Sequence, residues 1–240
     1  MSTVNPRLLT KEEIDQCFDL ERYYTNYLSL YYMYYPIGLL QITRVIFFDG
    51  DTNIKGNLDA GWVIAQLEKL NEDASLDFIL ILINGNIMVE GDICIGDHHL
   101  PLIVLGNAHC DVLENRHDYI HITGNAYIKY VFRGGYYNHG SVNVDGNAYV
   151  PYVLNDNYSS PFAPEPFVPE GAVFISLAYR DNRDTIKYDY TREDLAEVII
   201  PAAFNGEGNV DEKKFIEIVK SGQSPFIDGR KPGTIDNIWS

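Results

Sequence analysis

Cysteine is scarce in this chain: Cys17, Cys94 and Cys110 are an odd number with no CxxC pair among them. That count excludes a disulfide framework, and two of the three fall in apolar segments, as reduced thiols do. Basic residues are also few, with 18 Lys and Arg against 34 Asp and Glu in 240 residues, a formal net charge of −16. A molecule so charged repels a phosphate backbone or an anionic membrane surface, which disfavours nucleic acid and membrane as partners and favours a basic protein surface. The acids are not gathered in a tail: residues 1–73 carry 11 acids against 6 bases, 74–160 carry 9 against 3, and 161–240 carry 14 against 9. The field is therefore global. No apolar run reaches the roughly 18 residues a membrane span needs, and the opening MSTVNPRLLTKEE has no apolar signal core, so a cytoplasmic protein is expected. Motifs of catalysis are missing too, with no phosphate loop, GxSxG or HExxH.

What the chain does have is a repeat. ILINGNIMV, LIVLGNAHC, IHITGNAYI and VNVDGNAYV centre on Gly85, Gly106, Gly124 and Gly146, spaced by 21, 18 and 22 residues. Four positions before each Gly, two before, two after and four after, all sixteen residues are apolar, among them Ile81, Ile83, Leu102, Val104, Ile120, Ile122, Val142 and Val144. The intervening positions hold only six apolar residues in sixteen, so the period is two and each unit is a pair of strands with one buried face. Units this short leave no room for a helical crossover, and few hairpin turns separate them. Coils stacked in parallel fit, because equivalent residues then recur on every turn. The expected fold is mainly β: a single-stranded parallel β-helix of about five coils, right-handed by the usual crossover preference, with α-helical elements flanking both ends. An antiparallel sandwich with Gly bulges is the competing arrangement. The central glycines would give the backbone freedom for corners, and Asn86, Asn107, Asn125 and Asn147 would stack as a ladder.

The flanks read differently, which divides the chain into three parts: a helical cap over 1–41, the repeat region over 42–158, and a Pro-rich connector with an α/β cap over 159–240. Thr10 with Glu13 is a capping box for a helix over 10–35, and seven tyrosines between Tyr23 and Tyr35 need a surface to cover. An imperfect first coil centres on Gly50. A helix near 59–72, with Trp62, Leu67 and Leu70 at helical spacing, would close the open end of the coils. After the connector SSPFAPEPFVPEG, VFISLAY reads as a strand, and TREDLAEVIIPAAF and DEKKFIEIVKSG as helices.

All six histidines, His98, His99, His109, His117, His121 and His139, fall in the repeat region. His117 and His121 are about 13 Å apart on a strand, too far for one metal ion, and His109 aligns with Met88, Tyr127 and Tyr149 as a surface stack. NGEGNVDEKKF lacks carboxylates at the first and twelfth positions of a calcium loop. No cofactor or metal is expected. The insertion GGYYNHG offers Tyr136, Tyr137 and His139 either as partner anchors or as a structural turn.

The Gly-Asn coils, YYNHG and the following PYVLND resemble bacterial β-helix proteins of the polymer-forming, bactofilin-like kind, a number of which look like immunity partners of secreted polymorphic toxins. The resemblance covers roughly residues 42–158. It implies a cytoplasmic, non-catalytic protein that protects its cell by occluding a toxin. Bactofilins have a bare, uninterrupted β-helix, whereas this chain has helices at both ends, a departure that favours a monomer or small homo-oligomer over a filament. A self-assembling scaffold and a β-helix enzyme of sugar or acyl chemistry are the alternatives. On the immunity reading, Asp111, Glu114, Asp118, Asp145 and Asp156 form the acidic surface, with Tyr136, Tyr137 and His139 as anchors, for a basic toxin domain such as a nuclease.

Overall fold

The computed structural model describes residues 5–20, 22–23, 42–76, 79–95, 100–116, 119–135, 141–156, 172–177 and 188–232. From the N-terminus come β1 (Arg7–Thr10), α1 (Lys11–Asp15), β2 (Arg44–Phe48), β3 (Thr52–Ile54), β4 (Leu58–Asp59) and α2 (Ala60–Lys69). The repeats supply β5 (Ile79–Ile83), β6 (Ile87–Val89), β7 (Ile93–Cys94), β8 (Leu102–Val104), β9 (Ala108–Asn115), β10 (Tyr119–Ile122), β11 (Ala126–Gly135), β12 (Ser141–Val144), β13 (Ala148–Tyr149) and β14 (Tyr152–Asp156). The C-terminal part adds β15 (Val173–Ser176), α3 (Leu195–Val198) and α4 (Glu212–Lys220).

These strands form parallel sheets wound into a β-solenoid. In the first sheet β2, β5, β8, β10 and β12 follow one another in parallel, with β1 added antiparallel to β2. In the second, β3, β6, β9, β11, β14 and β15 do the same, and β4, β7 and β13 pair alongside. The parallel registers exclude the sandwich. Ile46, Ile81, Leu102, Ile120 and Val142 stand in one column, and Phe48, Ile83, Val104, Ile122 and Val144 in the next. All ten are buried in a single core with Ile87, Ala108, Ala126 and Ala148 from the other side. The sixteen apolar positions of the repeat thus line the inside of the coil.

The expectation of one buried face fails for the first sheet. Leu80, Leu82, Ile103 and Tyr119 point away from the coil interior and are still buried, because Ile14, Leu20 and Ile42 pack over them with Val45 and Phe47. The six intervening apolar residues marked this in part: Leu82 and Ile103 belong to the covered face, while Tyr127 and Tyr149 stay half-buried on another.

Three of the four repeat glycines are needed for a different reason from the one expected. Gly50 and Gly85 have positive φ values of 131° and 159°, but Gly106, Gly124 and Gly146 have none. What excludes a side chain is the coil beneath. A Cβ on Gly106 would stand 2.6 Å from the Gly85 carbonyl oxygen, and one on Gly124 or Gly146 would stand 2.5 Å from the Oδ1 of Asn107 or Asn125.

The helix expected in DEKKFIEIVKSG forms as Glu212–Lys220, whereas two other flanking helices are shorter than expected. Thr10 and Glu13 make both bonds of the capping box, but α1 stops at Asp15, and residues 21 and 24–35 of the longer expected helix lie outside the described residues. In TREDLAEVIIPAAF only Leu195–Val198 is α-helical, and a single 3-10 turn, Pro201–Ala203, follows it. Ile199 turns extended to bridge Phe226, and Ile200 precedes Pro201, whose ring disfavours the helical conformation at that position. At the first end α2 starts from an Asp59 N-cap and places the Trp62 ring 5.7 Å from Phe48, with Val63 and Leu67 in the core.

Candidate functional site: the open face of the solenoid

A bend in β9 and β11, marked by the register shift between Ile128 and Val131, splits each coil into three straight stretches and gives the solenoid three outer faces. The first is covered by the N-terminal segment. The third, formed outside Val112, Val131, Tyr152, Leu154 and Ile175, is covered by Leu195, Ile199, Phe215, Val219 and Phe226. Ion pairs fasten that cover. Buried Arg133 reaches Glu114 at 2.7 Å and also Glu212 at the start of α4, and Lys220 grips both Asp92 oxygens at 2.6 and 2.8 Å. Burial alone would lower the Arg133 pKa, but the charges of Glu212 and Glu114 outweigh it and raise it.

The second face is left open among the described residues. Asn53, Met88, His109, Tyr127 and Tyr149 stand on it in register, one from each coil. Met88 is 36% exposed. The rings above it stack: His109 on Tyr127 with centroids 4.4 Å apart, and Tyr127 on Tyr149 at 5.0 Å with planes 4° from parallel. Because the rings lie face to face along the column, they present edges and polar tips outward. Partial burial lowers the His109 pKa, so that imidazole is neutral at neutral pH.

Beside the rings runs the asparagine row, and its chemistry is more specific than stacking. The Oδ1 of each residue accepts the backbone N–H of the next: Asp51 from Asn86 and Asn86 from Asn107 at 2.8 Å, Asn107 from Asn125 at 2.8 Å, and Asn125 from Asn147 at 2.9 Å. The same side chains steady the rings, as Asn125 Nδ2 donates to Tyr127 Oη at 3.0 Å and Asn147 Nδ2 to Tyr149 Oη at 3.4 Å. Glu90, Asp111 and Lys129 follow on the far side of the rings. The open face is a preformed, rigid strip of edge-on aromatics between an amide row and a charged row.

Of the candidate carboxylates, Asp111 borders this strip, 3.9 Å from Lys129, and burial is the first cause raising its pKa, opposed by Lys129. Asp145 lies at the corner between the first and second faces, where it meets His121 Nε2 at 3.0 Å. Glu114 and Asp156 belong to the third stretch, and Glu114 is bound by Arg133 and by Arg116 at 2.8 Å. The four do not share one face, and three of them already answer a cationic or ring-nitrogen partner within the chain. Asp118, Tyr136, Tyr137 and His139 lie outside the described residues.

Of the histidines, only His109 and His121 are described. His121 is 8% exposed, held between Asp145 and the Tyr119 hydroxyl, 2.8 Å from Nδ1, while Tyr119 also reaches the Tyr23 carbonyl of the covering segment. Among the described residues no group of three or more His, Cys, Asp or Glu is placed to hold a metal ion, and no helix is long and apolar enough to cross a membrane. Compared with protein-family models, curated proteins and solved structures, the chain matches none.

The cysteines differ sharply in exposure. Cys17 is exposed, whereas burial, reinforced by Asp59, Glu114 and Asp92, pushes Cys94 up to about 11, and burial pushes the fully enclosed Cys110 further. Only about one Cys94 in a thousand is then a thiolate at pH 8. Alkylation of the folded protein followed by peptide mass spectrometry is expected to label Cys17 first, Cys94 slowly and faster with rising pH, and Cys110 only after unfolding. Early labelling of Cys110 would contradict the sealed core.

Proposed function

We propose that this chain is a non-catalytic, cytoplasmic binding protein of the immunity type, which occludes a basic toxin domain with the open face of its solenoid. The observation that carries this reading is the contrast between faces among the described residues: two are closed by the chain's own flanks, and the remaining one bears a stacked aromatic column. Aromatics held in place by stacking and amide bonds lose little entropy on docking, which is what an anchor row requires. The net charge of −16 supplies long-range attraction for a cationic partner. Glu90, Asp111, Asp51 and Asp145 bring part of that charge to the rim of the strip.

The test uses the purified full chain and the product of the neighbouring reading frame, as toxin, with toxicity scored on co-expression. Protection is expected. Association should slow about tenfold or more as salt rises from about 0.05 to 0.5 M, because the Debye length shrinks below the distance over which the carboxylates steer. Replacing Tyr127 and Tyr149 together by Ala should speed dissociation at least about tenfold with little change in association. Salt-independent association would overturn the electrostatic steering, and dissociation unchanged in the double variant would remove this face from the interface.

A further inference from the structure

Among the described residues, every neighbouring pair of strands in the two sheets is parallel except the first. β1 lies antiparallel on the outer edge of β2, with Arg7 opposite Phe47, Leu8 opposite Ile46, Leu9 opposite Val45 and Thr10 opposite Arg44. Beneath it β2 reads RVIFF, with Val45, Ile46, Phe47 and Phe48 all buried. A five-residue, largely apolar edge of this kind is a ready template for another chain. β1 is the opposite sort of strand. It has four residues with exposed ends, and its Arg7 guanidinium lies 5.0 Å from the Phe47 ring and 3.3 Å from Asp49.

We propose that β1 is an intramolecular stopper, and that the edge it occupies is a self-association site whose occupant, once β1 is displaced, is β2 of a second copy of this chain. The direction of β1 argues for that partner. Two copies related by a two-fold axis through Ile46 pair their β2 strands antiparallel, as β1 and β2 now pair, with Ile46 opposite Ile46 and Val45 opposite Phe47. The side-chain alternation is preserved in that pairing: Ile46 stays on the core side, where Leu8 packs now, and Val45 and Phe47 stay on the outer side, where Leu9 packs now. α2 covers the core at this end on its own account, so displacing β1 opens a backbone edge rather than the interior. The segment after β1 holds it in place, since the α1 capping box and buried Ile14 and Leu20 fix that stretch of chain to the first face. This inference is independent of any toxin partner.

The experiment replaces Leu8 and Leu9 together by Pro in the full chain. Two consecutive prolines remove a β1 donor whichever of the two N–H groups faces β2. Light scattering after size exclusion, across a range of concentrations, is expected to show at least a doubling of mass relative to wild type, with the β signal in circular dichroism retained. Excess peptide spanning residues 5–12 should return the mass to the wild-type value by reoccupying the edge. A folded variant of wild-type mass at every concentration, or a larger species that the peptide leaves unchanged, overturns the proposal. If the double proline variant does not fold, Leu8→Lys keeps the strand's backbone while placing a charge against the core, and the same two outcomes decide.

Discussion

Ile122→Asp is expected to unfold the protein at neutral pH. Ile122 is buried between Val104 and Val144, in register with both, and no described polar group of the column points into the interior beside it. Shortening the side chain removes its packing, and the carboxylate must either lie charged in an aliphatic stack or take up a proton to avoid doing so. The two losses together amount to about 5 kcal/mol or more, comparable to the whole stability of an ordinary domain. Ile122→Val is the control, at about 1 kcal/mol, because removing one methyl group leaves the column intact. Urea unfolding followed by circular dichroism distinguishes them. Equal stability of the Ile122→Asp and Ile122→Val variants would mean that this column is not a closed core.

The second large effect is at a residue with no side chain. Gly124→Ala is expected to cost about 3 kcal/mol or more, because the new methyl would sit 2.5 Å from Asn107 Oδ1 and 2.8 Å from the Gly106 carbonyl. The Asn107 side chain has no easy escape, since its Oδ1 accepts the Asn125 N–H at 2.8 Å. Relieving the clash therefore either breaks that bond or pushes two coils apart where they are closest. Gly206→Ala meets nothing within 4 Å and has no positive φ, so it should be neutral or stabilising by up to about 1 kcal/mol. Equal effects at Gly124 and Gly206 would refute the close-approach account.

The stacking was legible because inward residues must alternate within a coil and recur between coils, and both regularities are written along the chain. The reason for the glycines was not, since the clash involves a coil 18 to 22 residues away and leaves no mark on φ at Gly106, Gly124 or Gly146. Glu114 illustrates the same difficulty at the candidate site. As a lone acid on a strand it looks available to a partner, but Arg133, nineteen residues on, stands directly above it once the register is set. The ring column could be aligned from the repeat frame. That it is the face left open among the described residues could not, because coverage depends on where Ile14, Leu20, Phe215 and Phe226 come to rest, and none of these belongs to the repeat.

The asparagine row has a polarity with a material consequence. Each member from Asp51 to Asn125 hands an acceptor to the coil after it, and the series begins on Asp51, an aspartate that takes both the N–H and the Nδ2 of Asn86 where the later members are asparagines. The coils therefore behave as monomers of a directional chain with a distinct initiating unit. Any interior coil carrying Gly-Asn is grammatically interchangeable with its neighbours, and the unequal lengths of 21, 18 and 22 residues are absorbed away from the joint. A coil duplicated in the interior would find both its donor and its acceptor in place, whereas one added before Asp51 would meet a side chain that already accepts twice from Asn86.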